Sequence, residues 1–256
     1  MIGMTFAGID LQDGEYTTTE TDGFGSPQKE AKILQLARQN GSIQVFERIL
    51  SRSITAGGYI KAENGLALKQ AMDVLKSQLL SGEQLLRITE DGEYREWTAR
   101  MRNINIARDR NQVTYATWSA EFFSEKPFSV DGITDTIVDE TITADSDNFY
   151  FNNVGSYYGQ PEITIILTDI EPNSTPITIS IGNPSTSQFL DFTDTFQDGD
   201  TITINTLTRR CFKGTQPISP EGEFPAWLPG PGTFAYSDTG TSRSVDITAT
   251  LLRRYL

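Results

Sequence analysis

Histidine is absent from all 256 residues, and cysteine occurs once, at Cys211. The first absence removes the commonest general base, every Ser-His or Cys-His nucleophile pair and the common zinc sites. The second excludes an internal disulfide framework, so stability has to come from packing. No apolar run approaches the roughly 20 residues a helix needs to span a bilayer. The opening Met1 to Asp22 also lacks the basic start and continuous apolar centre of a secretory signal. These features predict a chain made in the cytoplasm and kept there until assembled. A last scarcity is local: no Lys or Arg occurs between Lys126 and Arg209.

That gap makes the charge uneven. The net value is -13, yet residues 1–130 hold 15 Lys/Arg against 17 Asp/Glu, while residues 131–256 hold 6 against 17. The change coincides with a change of pattern after Pro127, which predicts two domains, 1–130 and 131–256. A hydrophobic content of 37% can fill two ordinary cores. An acidic second half argues against a phosphate-gripping surface, because affinity for nucleic acid rests largely on Lys and Arg displacing counterions. Neither specific nucleic-acid binding nor membrane association is expected.

What is present begins with one good amphipathic helix set among strands, between Tyr59 and Pro127. Asn64 is a suitable N-cap, Leu68, Met72, Leu75 and Leu79 recur at helical spacing as a packing stripe, and Gly82 stands where a left-handed residue ends a helix. Glu83 to Glu90 then carries a short apolar run, Asp91-Gly92 is a two-residue hairpin signal, and Tyr94 to Ile106 reads as a long strand. From Val113 to Phe123 the residues alternate, with Ala116, Trp118, Ala120 and Phe122 on one face. The predicted order is strand, helix, hairpin, strand. Upstream, Met4 to Ile9 is a short apolar piece and the Gly/Thr-rich Gln12 to Ser26 reads as a loop or arm. Glu30 to Arg38 fits helix and strand equally. Ser42 to Leu50 reads as a strand with Ile43, Val45 and Ile49 inward. Ile54 to Lys61 is another, interrupted by Gly57-Gly58 at a bulge or close backbone approach.

The second half is a succession of short alternating runs: Ile163, Ile165, Leu167; Ile177, Ile179, Ile181; Ile202, Ile204; and Val245, Ile247, Ala249, Leu251. Turn chemistry separates them at Glu171-Pro172-Asn173-Ser174, Gly182-Asn183-Pro184, Asp198-Gly199-Asp200 and Pro229-Gly230-Pro231-Gly232. Regular short strands with such turns predict a sandwich of jelly-roll type.

Few constellations point to chemistry. A glycosidase needs only two flanking carboxylates, and Glu162, Asp169, Asp191 and Glu221 are candidates, but nothing in their spacing separates them from solvated strand-edge acids. Asp145-Ser146-Asp147-Asn148 and Asp198-Gly199-Asp200 are oxygen-rich, yet Tyr150 occupies the place of the glycine a calcium loop requires, so both read as turns. No catalytic residue, metal site or cofactor is assigned. Arg100, Arg102, Arg108 and Arg110 form the densest basic patch, either a screened surface or a subunit interface meeting a neighbour's carboxylates. Tyr150, Tyr157 and Tyr158, with Phe149 and Phe151, form either core plus interface or a partner or glycan surface.

The order of pieces resembles a known family. A Gly-Tyr-Ile strand, the helix through Leu68-Lys69-Gln70-Ala71-Met72-Asp73-Val74-Leu75 to Leu79, the hairpin Leu85-Leu86-Arg87-Ile88 and Arg95-Glu96-Trp97-Thr98-Ala99, and Ala120-Glu121-Phe122-Phe123 before Pro127 are similar to the N-terminal domain of siphophage distal tail (Dit) proteins. Asn152-Asn153-Val154-Gly155, Pro161-Glu162-Ile163-Thr164-Ile165, Asp198-Gly199-Asp200, Gly222-Glu223-Phe224-Pro225, Leu228-Pro229-Gly230 and Arg254-Tyr255-Leu256 are similar to the C-terminal domain. The likeness runs from about Ser42 onward and leaves the first 41 residues unplaced. It implies a mainly β chain with one helix, an N-terminal β-barrel or sandwich carrying the helix, followed by a galectin-like jelly-roll sandwich. It further implies a structural, non-enzymatic homohexameric ring in the virion tail tip or baseplate. Such a ring joins the tail tube protein to the tail-tip (tail-associated) protein and often carries receptor-binding proteins for host attachment. Two readings from other classes stand beside it, a carbohydrate-binding accessory protein using the sandwich and a two-carboxylate glycosidase.

Overall fold

The computed structural model describes residues 2–23, 28–35, 42–108 and 111–256. The chain forms two compact units, Met1–Asp131 with Leu256, and Gly132–Tyr255.

The first unit contains β1 (Ile2–Phe6), β2 (Ile9–Asp10), β3 (Tyr16–Asp22), β4 (Lys29–Gln35), β5 (Ser42–Ile49), β6 (Arg52–Lys61), α1 (Gly65–Leu79), β7 (Glu83–Glu90), β8 (Glu93–Arg108) and β9 (Tyr115–Ser124). Its main sheet runs β3-β6-β9-β8-β7-β1-β2, and β4 pairs with β5 as a separate antiparallel hairpin. Asp91 and Gly92, both at positive φ, make the tight turn between β7 and β8. Helix α1 starts at Asn64, whose side-chain oxygen accepts from the Leu66 and Ala67 amides at 3.0 and 2.9 Å, which satisfies two of the orphan donors of the first turn.

Strand β8 belongs to two ladders. Residues from Glu93 to Arg100 pair with β7, those from Arg100 to Arg108 with β9, and the register shifts between Met101 and Asn103 at the changeover. A bulge there increases the local twist and bend. The fold therefore turns a corner without cutting the strand. Helix α1 lies on the inner face, burying Leu68, Ala71, Leu75 and Leu79, with Met72 half-buried against the same core. Phe6 of β1 meets Phe122 of β9, ring centroids 4.9 Å apart, across that core.

In this unit two expectations need correction and one open reading is resolved. The Gln12 to Ser26 segment is no arm, since Tyr16–Asp22 is strand β3, paired along β6. Polar composition masked it, but Thr is β-branched and suits a pleated surface, and Tyr16 and Thr18 alternate inward. The Glu30 to Arg38 ambiguity resolves as strand over Lys29–Gln35; its remaining residues, and the side chains of Ile43 and Val45, lie outside the description. Finally, the barrel alternative is not realised. Among the described residues no ladder joins the end strands β3 and β2, so the sheet stays open. At the start of β3 the Tyr16 hydroxyl instead donates to the Ala71 carbonyl of α1 at 3.0 Å.

Gly57-Gly58 has a steric cause. The strand partner β3 shifts register between Thr18 and Glu20 opposite this pair. A Cβ on Gly58 would stand 1.8 Å from the Thr17 carbonyl oxygen, so the backbones approach more closely than any side chain allows.

The second unit takes the chain on through β10 (Ser129–Ile142), which begins in the first, then β11 (Ser146–Asn153), β12 (Glu162–Glu171), β13 (Ile177–Asn183), β14 (Gln188–Asp194), β15 (Thr201–Asn205), β16 (Arg210–Lys213), β17 (Gln216–Ile218), β18 (Glu221–Gly222), β19 (Gly230–Asp238) and β20 (Ser242–Tyr255). One sheet runs β17-β16-β15-β12-β20-β10 and the other β11-β19-β13-β14-β18. Alternate residues of both sheets, including Ile163, Ile165, Ile179, Ile181, Phe192, Phe234 and Ile247, make one core, so the unit is a two-sheet sandwich. Pro229-Gly230-Pro231-Gly232 departs from the predicted turn. Gly230 opens β19, and Pro231 and Gly232 pair with Asn152 and Phe151 of β11. Gly232 is needed there because a Cβ would stand 2.8 Å from the Phe151 ring.

Candidate functional site

The arginine patch sits on the second half of β8, after the bulge. Arg100 reaches Glu125 at 3.1 Å and Arg102 reaches Glu121 at 3.6 Å. Both guanidinium groups also lie over the Phe123 ring, 5.4 and 5.8 Å from its centroid. Arg108 donates to the Val113 carbonyl at 3.1 Å. Arg110 lies outside the described residues. All three described arginines are exposed, so the ion pairs of Arg100 and Arg102 are screened and each adds little to stability. The partner acids were not foreseen. The β8–β9 register that sets Arg100 opposite Phe123 was the missing information.

Beside this patch the outer face of β3, β6, β9 and β8 is polar. Glu20, Asp22, Thr55, Asn103, Ser119 and Glu121 line an open hollow of about 470 Å3. It holds no converging catalytic set.

The structure separates the tyrosines. Tyr150 projects from β11 and is 82% exposed, whereas Tyr157 and Tyr158 lie in the β11–β12 connection, packed edge-on with centroids 5.4 Å apart. Phe149 and Phe151 point inward, Phe149 to Phe234 at 6.3 Å and Phe151 to Trp227 at 5.8 Å.

The acidic turns are occupied by their own chain. Asp198 accepts from the Ile170 amide, and Asp200 accepts from the Gln197 amide and pairs with Lys213 at 3.1 Å. Lys213 also contacts Asp194 at 3.0 Å. This hydrogen bond holds the Asp194 carboxyl below its usual range, while the two carboxylates raise Lys213 against the opposing effect of burial. Glu162 accepts from Asn205, and Asp169 from Ser242. Asp191 and Glu221 are opposed across β14 and β18. Among the described residues no group of three or more His, Cys, Asp or Glu converges to hold a metal. Burial pushes the Cys211 thiol up to about 11, which leaves it protonated and unreactive at neutral pH.

A buried network in the second unit had no sequence signal. Asp238 has no exposed side-chain surface. It accepts from the Tyr236 hydroxyl at 2.8 Å, the Gly240 amide at 2.7 Å and Arg243 Nε at 3.0 Å. The ligation closes the β19–β20 hairpin, which makes the network architectural.

No protein-family model matches the chain, and no curated protein matches it in sequence. The fold does find relatives. Phage SPP1 Dit, described as a paradigm of the hub adsorption apparatus in phages infecting Gram-positive hosts, aligns over 100% of both chains with TM-score 0.74 and 14% identity. The fold is that of a Dit hub protein. A chain of the phage P2 baseplate, in its activated conformation with Ca, aligns over 99% of this chain and 98% of its own, with TM-score 0.51 and 11% identity. At such identities the likeness to Dit is one of fold. It extends to the described residues among the first 41, which the sequence pieces left unplaced, because the SPP1 Dit alignment covers the chain.

Proposed function

We propose that this protein is a structural, non-enzymatic hub of a siphophage tail tip or baseplate. The observation that carries the proposal is the full-length likeness to SPP1 Dit, both chains covered end to end. In this reading the residues 1–130 build a homohexameric ring that continues the tail tube, and residues 131–256 form a galectin-like sandwich outside it. The ring joins the tail tube protein to the tail-tip protein and offers docking places to receptor-binding proteins that attach the host. The protein is made in the host cytoplasm and resides in the virion tail. It has no cofactor, membrane or specific nucleic-acid partner.

Two features support the ring. Among the described residues the first unit's sheet is open, ending on β3 and β2, and an open sheet edge is where another chain can pair. The exposed arginines on β8 also lie over a shared aromatic ring, as charges do at an interface rim. Ring formation between identical chains by one heterologous contact closes only at a fixed copy number. The test is the mass of the purified full chain by light scattering, with negative-stain images of the same sample. Rings or stacked double rings are expected. A strict monomer at high concentration, without rings, would overturn the proposal.

A further inference from the structure

A groove of about 400 Å3 opens on the second unit between β10 and β11, lined by Thr136, Asp139, Glu140, Asn148, Phe149 and Tyr150 among others. Its floor is fixed. Ile137 and Val138 are buried, and Phe149 packs on Phe234 in the core. Its rim is open and polar. The Tyr150 ring stands 82% exposed and among the described residues stacks on no other ring. The Tyr150 hydroxyl, the Asn148 side-chain amide, the Glu140 carboxylate and the Thr136 hydroxyl likewise have no hydrogen-bond partner among the described residues. Asp139 differs, since it accepts from the Thr248 hydroxyl at 3.2 Å.

These groups share one fitting chemistry. A sugar ring has an apolar C–H face that lies on an exposed aromatic, and a rim of hydroxyls that both donate and accept. Planar amide and carboxylate groups beside a flat ring satisfy that rim, one group per hydroxyl. The volume lies in the lower part of the range of about 300–1,000 Å3 typical of small-ligand sites. Charge narrows the class further. No Lys or Arg lines the groove and two carboxylates do, so phosphate-bearing or carboxylate-bearing polymers are repelled.

We propose that this groove binds a neutral or amino sugar, with Tyr150 as the stacking platform and Asn148, Glu140 and Thr136 as partners for its hydroxyls. Tyr157 and Tyr158, which pack on each other outside the groove, take no part. The site is independent of whether the first unit forms a ring.

The experiment is calorimetric titration of the full chain with lactose, maltotriose and tri-N-acetylchitotriose, after screening on an array of neutral and amino glycans. Poly(glycerol phosphate) serves as the anionic comparison. At least one neutral or amino glycan is expected to bind saturably below about 10 mM, weak binding being normal for so small a contact. Tyr150→Ala should weaken it about tenfold, equivalent to about 1.4 kcal/mol. Glu140→Gln should weaken it less, and Tyr157→Ala should leave it unchanged. Because Tyr150 and Glu140 are exposed, circular dichroism and melting of these variants should match the parent. Absence of saturable binding across the array, equal binding by Tyr150→Ala, or preference for the glycerol phosphate polymer overturns the proposal. So does a Tyr150→Ala variant whose only change is in oligomeric mass, which would make this face a contact between copies.

Discussion

Asp238 centres a buried polar network in the second unit. Its carboxylate sits among a phenol, an amide and a guanidinium, with Arg243 also donating to the Gly240 carbonyl. Burial, and then the Asp238 charge, pushes the Tyr236 phenol above its ordinary range, as a hydroxyl that must stay protonated to donate. Removing one member strands the buried charge of the other, at a cost of about 3–5 kcal/mol. Asp238→Ala should therefore lower the urea midpoint by that equivalent, and a loss under about 1 kcal/mol would show that water replaces the carboxylate. Lys213 gives a pH-dependent counterpart. Asp194 titrates below its usual 3.8 when folded because Lys213 donates to it. A depressed carboxyl contributes stability that is present above the unfolded value and lost as pH falls through the folded one. Lys213→Met should flatten the loss of stability below about pH 4 while costing little at pH 7, as expected for partly exposed groups. An unchanged acid limb in a melting series would refute the assignment.

At the scale of elements, Gly58 is the most constrained position. Gly58→Ala places a methyl inside the Thr17 carbonyl, and since that atom is backbone, β3 must move away from β6. An ordinary Gly to Ala change within a strand stabilises by roughly 0.5–1 kcal/mol; here the clash reverses the sign, and a net loss of stability is expected, with faster amide exchange in Tyr16–Asp22. Unchanged stability and protection there would mean that the strands stay paired and the methyl is accommodated, which would overturn the assignment. The glycine pair was legible in sequence as a close approach, but its partner was not, because a Thr-rich run carries no apolar alternation. The same physics sorts the other elements. Helix α1 and the β7–β8 hairpin were legible since capping, periodicity and Asp91-Gly92 act locally. The strands β12, β13, β15 and β20 were legible through alternating Ile, Val and Leu. Strands β10, β11 and β19 were not, because their residues owe their strand state to partners distant in sequence, as Phe149 does to Phe234. For the same reason the arginines were found as a patch while Glu121, Glu125 and Phe123 were not found as its partners. The groove at Tyr150 needed the approach of β10 to be seen at all.

At the scale of the molecule, the ring proposal makes the exposed arginines of β8 informative. Arg102 and Arg108 are exposed, and their contacts within the chain are surface contacts of small worth. Arg102→Glu with Arg108→Glu should leave the melting temperature of the isolated chain nearly unchanged while reducing assembly, read as a shift of mass toward monomer. Equal assembly by the double variant would remove these side chains from the interface. Strand β8 itself has a mechanical consequence. Antiparallel hydrogen bonds lie perpendicular to the strands they join, and β8 carries one ladder before its bend and another after it. A pull along either half loads its bonds side by side, in shear. The uncut backbone passes tension around the corner from one ladder to the next. A unit built in this way resists being drawn out lengthwise far better than being peeled open from an edge.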